Sequence, residues 1–226
     1  LDGERWTCQA EGQPLEGILV KPKGDGPFPA IIISHGLGSN ARQFGLSKAR
    51  EFVKWGFVCI ATTYTHTRGG QDRSQFGASE ANVRRARACM AILGSLPYAD
   101  GKRIAAYGNS MGAFLTIGLA AAEPQRIKAV AITAGGVTPM SGFPAPTTET
   151  AAKVRTPTLI LHGSDDRVVP PQRSELLKSV LDRQQTPNQR HVWEGGGHNL
   201  HQTHAEEVYA KMREWFETHG VLPARD

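Results

Sequence analysis

The stretch Gly108-Asn109-Ser110-Met111-Gly112 constrains this chain more than any other. It follows the apolar run Arg103-Ile104-Ala105-Ala106-Tyr107 and precedes an Ala-rich apolar run from Ala113 to Ala122. That context predicts strand, sharp turn, helix. So tight a turn forces strained backbone angles at its central residue, and side chains flanking it would strike the adjoining strand and helix. Glycines on both sides remove that clash. The turn lifts the Ser110 hydroxyl clear of the sheet, where a base can reach it. A Gly-x-Ser-x-Gly pentapeptide also arises by chance, so the rest of the chain must supply the weight.

Trp6 to Ala10 and Leu15 to Val20 read as short extended segments joined by the turn signal Glu11-Gly12-Gln13-Pro14, an antiparallel start. Ala30-Ile31-Ile32-Ile33 has the composition of a strand buried on both faces and leads into Ser34-His35-Gly36-Leu37-Gly38-Ser39. A helix follows from about Ala41 to Lys54, then a buried strand from Phe57 to Thr62. The polar loop Tyr64 to Ala78 ends at Ser79, the N-cap of a helix with Val83, Ala86, Met90 and Leu93 on one face. Pro97 ends that helix. Beyond the Ser110 turn, Ile127 to Thr133 is a strand, and Val137 to Arg155 a Pro/Thr-rich insert. Thr158-Leu159-Ile160-Leu161 is a strand, Pro171 to about Gln184 a helix, Gln189 to Glu194 the last strand, and about His198 to His219 the last helix. Strands alternating with helices predict an α/β fold, a mostly parallel sheet covered on both faces. With no repeat and no linker, residues 1–226 read as a single domain.

A serine hydroxyl is a weak nucleophile until an adjacent base takes its proton, and that base needs an orienting acid. Such groups converge on loops at the carboxyl ends of parallel strands. Two loops there supply them: Gly163-Ser164-Asp165-Asp166-Arg167-Val168-Val169-Pro170 and Gly195-Gly196-Gly197-His198. The chain order is Ser, Asp, His, with Asp165 and Asp166 both candidates for the acid. Acyl transfer also needs donors aimed at the developing oxyanion, and the amide of Met111 at the helix start is one.

Composition excludes other classes. Lys and Arg are scattered behind a net charge of +5, with no basic stripe carrying aromatics, so nucleic acid is not expected as a partner. No apolar run approaches bilayer length and no charged-then-apolar leader opens the chain, so no membrane association is expected. The chain starts at Leu1; a cleaved signal peptide and a truncation both fit, leaving cytoplasmic and secreted locations open. Cys8, Cys59 and Cys89 lack metal-like spacing. Cys59 reads as inert core, and whether any two of the three pair stays open.

In four pieces, His35-Gly36, Gly108 to Gly112, Gly163 to Pro170 and Gly197-His198-Asn199, the chain resembles the α/β-hydrolase superfamily over nearly its whole length. It is most similar to small, single-domain dienelactone-hydrolase-like esterases. The resemblance implies a twisted sheet with an antiparallel N-terminal start and a minimal lid. It implies Ser110 as nucleophile, His198 as general base and then acid, and Asp166 as orienting carboxylate, because the family pattern places that acid before Val and Pro. It also implies the Leu37 amide as second oxyanion donor, with no metal and no organic cofactor. True dienelactone hydrolases carry cysteine where this chain has Ser110, which favours ordinary esters over a lactone.

Other residues read as follows. His35 is expected to bond loop backbone, and His162 to support its loop. His201 and His204 are expected as exposed surface on a helical face shared with His198, since they lack the His-Glu-x-x-His spacing of a zinc helix. Arg84, Arg85 and Arg87 read as a solvated face. Arg68 and Arg73 lie where substrates enter such folds, and a role in holding an acidic substrate is the sharper reading. Met140 and Phe143 either wall an acyl pocket or pack the insert on the sheet. The expected function is hydrolysis of carboxylic esters, short-chain or bulky and polymeric, through an acyl-enzyme. The alternatives are another acyl bond (thioester, lactone or peptide) and a non-catalytic binder on the same fold. Related peptidases usually carry a large N-terminal domain, absent from these residues, so peptidase ranks low. Oligomeric state is not legible.

Overall fold

A computed structural model describes residues 4–10, 12–67, 72–137 and 142–224. Glu11, Arg68 and Met140 lie outside the described residues. The strands are β1 (Glu4–Ala10), β2 (Gln13–Val20), β3 (Phe28–Ser34), β4 (Val58–Thr62), β5 (Ala99–Asn109), β6 (Ala129–Thr133), β7 (Thr158–Gly163) and β8 (Asn188–Trp193). They form one eight-stranded sheet in the order β1-β2-β4-β3-β5-β6-β7-β8. The β1–β2 hairpin is antiparallel, as is β2 against β4; every other pairing is parallel.

The helices are α1 (Leu46–Phe52), α2 (Glu80–Ser95), α3 (Met111–Ala122), α4 (Thr148–Ala151), α5 (Gln172–Arg183), α6 (Leu200–Thr203) and α7 (Ala205–Thr218). The isoleucine run of β3 shows why they cover both faces. Successive strand residues point to opposite sides. Ile32 joins the core beneath α2, α3 and α5, while Ile31 and Ile33 join the core beneath α1 and α7. All three are fully buried, and each such burial contributes roughly 1.5–3 kcal/mol. Ser79 caps α2 as expected, its hydroxyl accepting from the Asn82 amide.

Two expectations need correction. The first helical segment opens with a π-type turn, Ala41–Gly45, capped by the Asn40 side chain, before α1 begins. The last helix does not begin at His198. Gly195, Gly196 and Gly197 hold His198 on a loop, consistent with the poor helix propensity of glycine. The chain then breaks at His204 (φ −133°, ψ 34°) between α6 and α7, which lets Leu200 bury at 1% exposure. The described part of the insert, 142–155, holds only the four-residue α4, a minimal cover. Cys8, Cys59 and Cys89 are free thiols. Among the described residues no helix is long and apolar enough to cross a membrane.

Candidate active site

Ser110 sits between β5 and α3 with φ 54° and ψ −118°, a conformation that costs a non-glycine residue about 1–3 kcal/mol. Its surroundings hold it there. The Ser110 amide donates to the Thr133 carbonyl at 2.9 Å, and its own carbonyl accepts from Ala113 at 2.9 Å. A Cβ on Gly108 would collide with the Gly112 carbonyl and Thr116 Oγ1, and one on Gly112 with the Ser34 carbonyl. The glycines are therefore required by packing as well as by the turn.

The loops after β7 and β8 bring the other two residues to this point. His198 Nε2 lies 3.0 Å from Ser110 Oγ, and His198 Nδ1 lies 2.8 Å from Asp166 Oδ2. An ionised carboxylate only accepts, so Nδ1 carries the proton and Nε2 is left as acceptor for the serine hydroxyl. The loops are tied together: Asp165 N donates to Gly196 O, and Gly195 N to Ser164 Oγ, each at 2.9 Å.

Asp166 is 4% exposed. Burial alone would push its carboxyl up, but hydrogen bonds from His162 and His198 and from the Val169 amide outweigh it and hold the group well below the usual range. Oδ1 accepts from the amides of Val168 and Val169, both at 2.9 Å. His162 Nε2 faces Oδ2 at 3.2 Å and the Val169 carbonyl at 2.9 Å, so it carries a proton. The loop support expected of His162 is direct support of the acid. Asp165 is exposed and accepts from Ser164 Oγ instead.

Behind Ser110, the loop after β3 is clamped by histidines. His35 is 1% exposed; its Nδ1–H donates to Gly36 O at 2.9 Å and its Nε2 accepts from Tyr64 N at 3.0 Å. His66 was not singled out from sequence, yet it is fully buried and its Nε2–H donates to the His35 carbonyl at 3.0 Å. The His66 carbonyl accepts from Gly38 N at 3.1 Å, so one residue grips both sides of Leu37. Asn82 of α2 bonds His66 Nδ1 at 3.3 Å and Thr65 N at 3.0 Å. Burial lowers the His35 pKa to about 3 and the His66 pKa to about 4, so both rings are neutral. The sequence carries no signal for His66, a single histidine in a polar loop.

Ser110 and His198 open onto a cleft of about 730 Å³. Met111, Phe114, Phe143 and Val169 form a packed apolar wall, so Phe143 both lines the cleft and packs the insert. Arg73 also lines it, with its guanidinium 5.8 Å from the centre of the Phe143 ring. His201 corrects the expectation of exposed surface. It lines the cleft, and Nε2 lies 2.5 Å from the buried Tyr107 hydroxyl. His204 is half-buried against Trp193. Arg85 is half-buried too and donates to the Thr63 carbonyl at 3.3 Å, while Arg87 pairs with Glu123 at 2.6 Å. Among the described residues no group of three or more His, Cys, Asp or Glu is arranged to hold a metal ion.

A mostly parallel sheet with a strained serine after its fifth strand, an acid after its seventh and a histidine after its eighth defines the α/β-hydrolase class. The dienelactone hydrolase family model matches residues 15–222, and the chain belongs to that family. Among curated relatives, Esterase FrsA of Klebsiella pneumoniae (strain 342) is 32% identical over 120 residues, 53% of this chain and 28% of the relative. Esterase FrsA of Escherichia coli O157:H7 is 31% identical with the same coverage. The match thus spans less than a third of those relatives' length. Among solved structures, a cold-adapted esterase from an Arctic intertidal metagenomic library has TM-score 0.76 and 18% identity, covering 95% of this chain and 92% of its own. Uncomplexed Pyrococcus horikoshii acylaminoacyl peptidase has TM-score 0.82 and 16% identity, covering all of this chain and 43% of its own. At such identities the likeness is one of fold.

Proposed function

We propose that this chain is a serine carboxylesterase. The observation that carries the proposal is the unbroken line from Asp166 through His198 to Ser110, at 2.8 Å and 3.0 Å. Ser110 Oγ attacks the ester carbonyl as its proton passes to His198 Nε2. The alcohol then leaves with that proton, and water repeats the sequence on the acyl-enzyme. Asp166 fixes the imidazole tautomer and balances the imidazolium. The amides of Leu37 and Met111 receive the oxyanion. Met111 opens α3, where amides have no acceptor within the helix. Loss of one such donor typically costs about 3 kcal/mol of transition-state stabilisation. Membership in the family and the FrsA relatives named as esterases support ester over other acyl substrates.

The test is a hydrolysis screen over p-nitrophenyl esters of increasing chain length, with thioester, lactone and peptide substrates alongside. Ester turnover that vanishes in Ser110→Ala supports the proposal. Preference for a peptide or thioester by kcat/KM would replace the substrate class, and turnover surviving Ser110→Ala would remove the nucleophile.

A further inference from the structure

The ends of the cleft differ in chemistry. The wall under α3 is apolar, built from Met111, Phe114 and Phe143, with the exposed Arg73 guanidinium at its rim, 5.8 Å from the Phe143 ring centre. Across the sheet edge, on the α1 side, the lining is Lys48, Phe44 and His201. Lys48 is only 7% exposed. Its ammonium lies 5.3 Å from the Phe44 ring centre and 5.7 Å from that of Tyr209, and among the described residues no carboxylate or hydrogen-bond acceptor engages it. A lysine is rarely buried without a partner, because desolvating its charge is costly. Here burial brings the Lys48 pKa down to about 8, which leaves the ammonium mostly charged at neutral pH.

His201 adds no second charge. Burial and then the charge of Lys48 lower its pKa to about 3. A chain of hydroxyls fixes its tautomer. Thr133 Oγ1 donates to Asn109 Oδ1 at 2.8 Å, so it accepts from the Tyr107 hydroxyl, 2.9 Å away. Tyr107 in turn accepts from His201 Nε2–H, leaving Nδ1 a buried acceptor without a partner among the described residues. This end of the cleft therefore offers one positive charge beside a neutral ring. The charge matches a single carboxylate.

We infer that Lys48 selects the substrate: the preferred ester is apolar on one side of the scissile bond and bears one carboxylate on the other. The inference rests on the esterase proposal, and its test separates the two. Two ester pairs place the charge on either side of the bond. One is p-nitrophenyl hexanoate against the mono-p-nitrophenyl ester of adipic acid. The other is phenyl hexanoate against 4-carboxyphenyl hexanoate. The quantity read is the charged-to-neutral ratio of kcat/KM in the wild type, Lys48→Met and Arg73→Met. A charged ester is expected to win in at least one pair. Lys48→Met should lower that ratio by about tenfold or more, the scale of one charge-assisted hydrogen bond, and Arg73→Met should preserve it. A ratio unchanged in Lys48→Met, a preference carried by Arg73, or no preference in either pair overturns the inference while leaving ester hydrolysis standing. Calorimetric titration of Ser110→Ala with octanoate and octanamide gives a readout independent of turnover. Octanoate should bind more tightly, and adding Lys48→Met should erase the difference; equal binding without that change overturns the inference.

Discussion

His66 Nε2 donates to the carbonyl oxygen of His35 at 3.0 Å, while the His66 carbonyl receives the amide of Gly38. These bonds hold the backbone on both sides of Leu37, whose amide is the proposed second oxyanion donor. His66→Leu is expected to lower kcat by about 10- to 100-fold, part of the loss for deleting a donor outright. KM should change little. His66→Gln keeps an N–H at comparable reach and should recover part of kcat. Steady-state kinetics beside circular dichroism check this; equal losses in kcat and KM, or no rescue by Gln, would count against the clamp.

The two neighbouring aspartates separate cleanly. Asp166→Asn removes the acceptor that fixes the His198 tautomer, and kcat/KM should fall about 10³- to 10⁴-fold. Asp165 is exposed, and among the described residues its carboxylate accepts only from the neighbouring Ser164 Oγ, while its tie to the Gly196 loop is through its backbone amide, so Asp165→Asn should stay within about threefold. Ester kinetics on the two variants decide it, and the reverse ranking would mean that the acid is Asp165.

The legible part of this site was the part written in local patterns. Ser110 announced itself through flanking glycines between a strand and a helix, and His198 and the Asp165-Asp166 pair through turn residues after apolar runs, with the family pattern choosing Asp166 of the two. What stayed hidden depends on distance in the chain. His66 matters because it meets His35, 31 residues away. His201 meets Tyr107, 94 residues earlier, because the last helix breaks. Lys48 carries no signal of its own in the sequence, since only the Phe44 and Tyr209 rings against its ammonium reveal its burial. Periodicity carries no record of such meetings.

Two buried histidines and the half-buried His201 make stability depend on pH. His35, His66 and His201 have folded-state pKa values lowered to about 3, 4 and 3 from 6.5. A depressed folded pKa means the unfolded chain binds more protons. Stability is thus fully present above the unfolded value and lost as pH falls from 6.5 toward 4, by about 1.4 kcal/mol per pH unit for each group at full slope. His191 and His219 are shifted the same way by burial. Urea unfolding at pH 7, 6, 5 and 4.5 should show this loss, and a shallower one in His66→Gln. Flat stability across the window would contradict the buried, neutral cluster.

Lys48 imposes a related cost. Its pKa is about 8 when folded against 10.5 for the free side chain, so the unfolded chain again binds more protons. The penalty is complete below pH 8 and fades as pH rises toward 10.5. Lys48→Met should therefore stabilise the protein at pH 7 by about 1–3 kcal/mol, with the gap narrowing across that window. Tyr209 and His201 lie beside the ammonium and stay uncharged there. Denaturant unfolding of the pair at pH 7 and 10 measures it; a destabilised variant would contradict a buried, unpaired charge.

The central claim is that Ser110 is a nucleophile activated by His198. Mass spectrometry after treatment with a fluorophosphonate probe tests it most directly. The expected result is a single covalent adduct on the peptide bearing Ser110, absent in Ser110→Ala and strongly slowed in His198→Ala. No adduct on the folded wild-type protein, or equal labelling of Ser110→Ala, would contradict it.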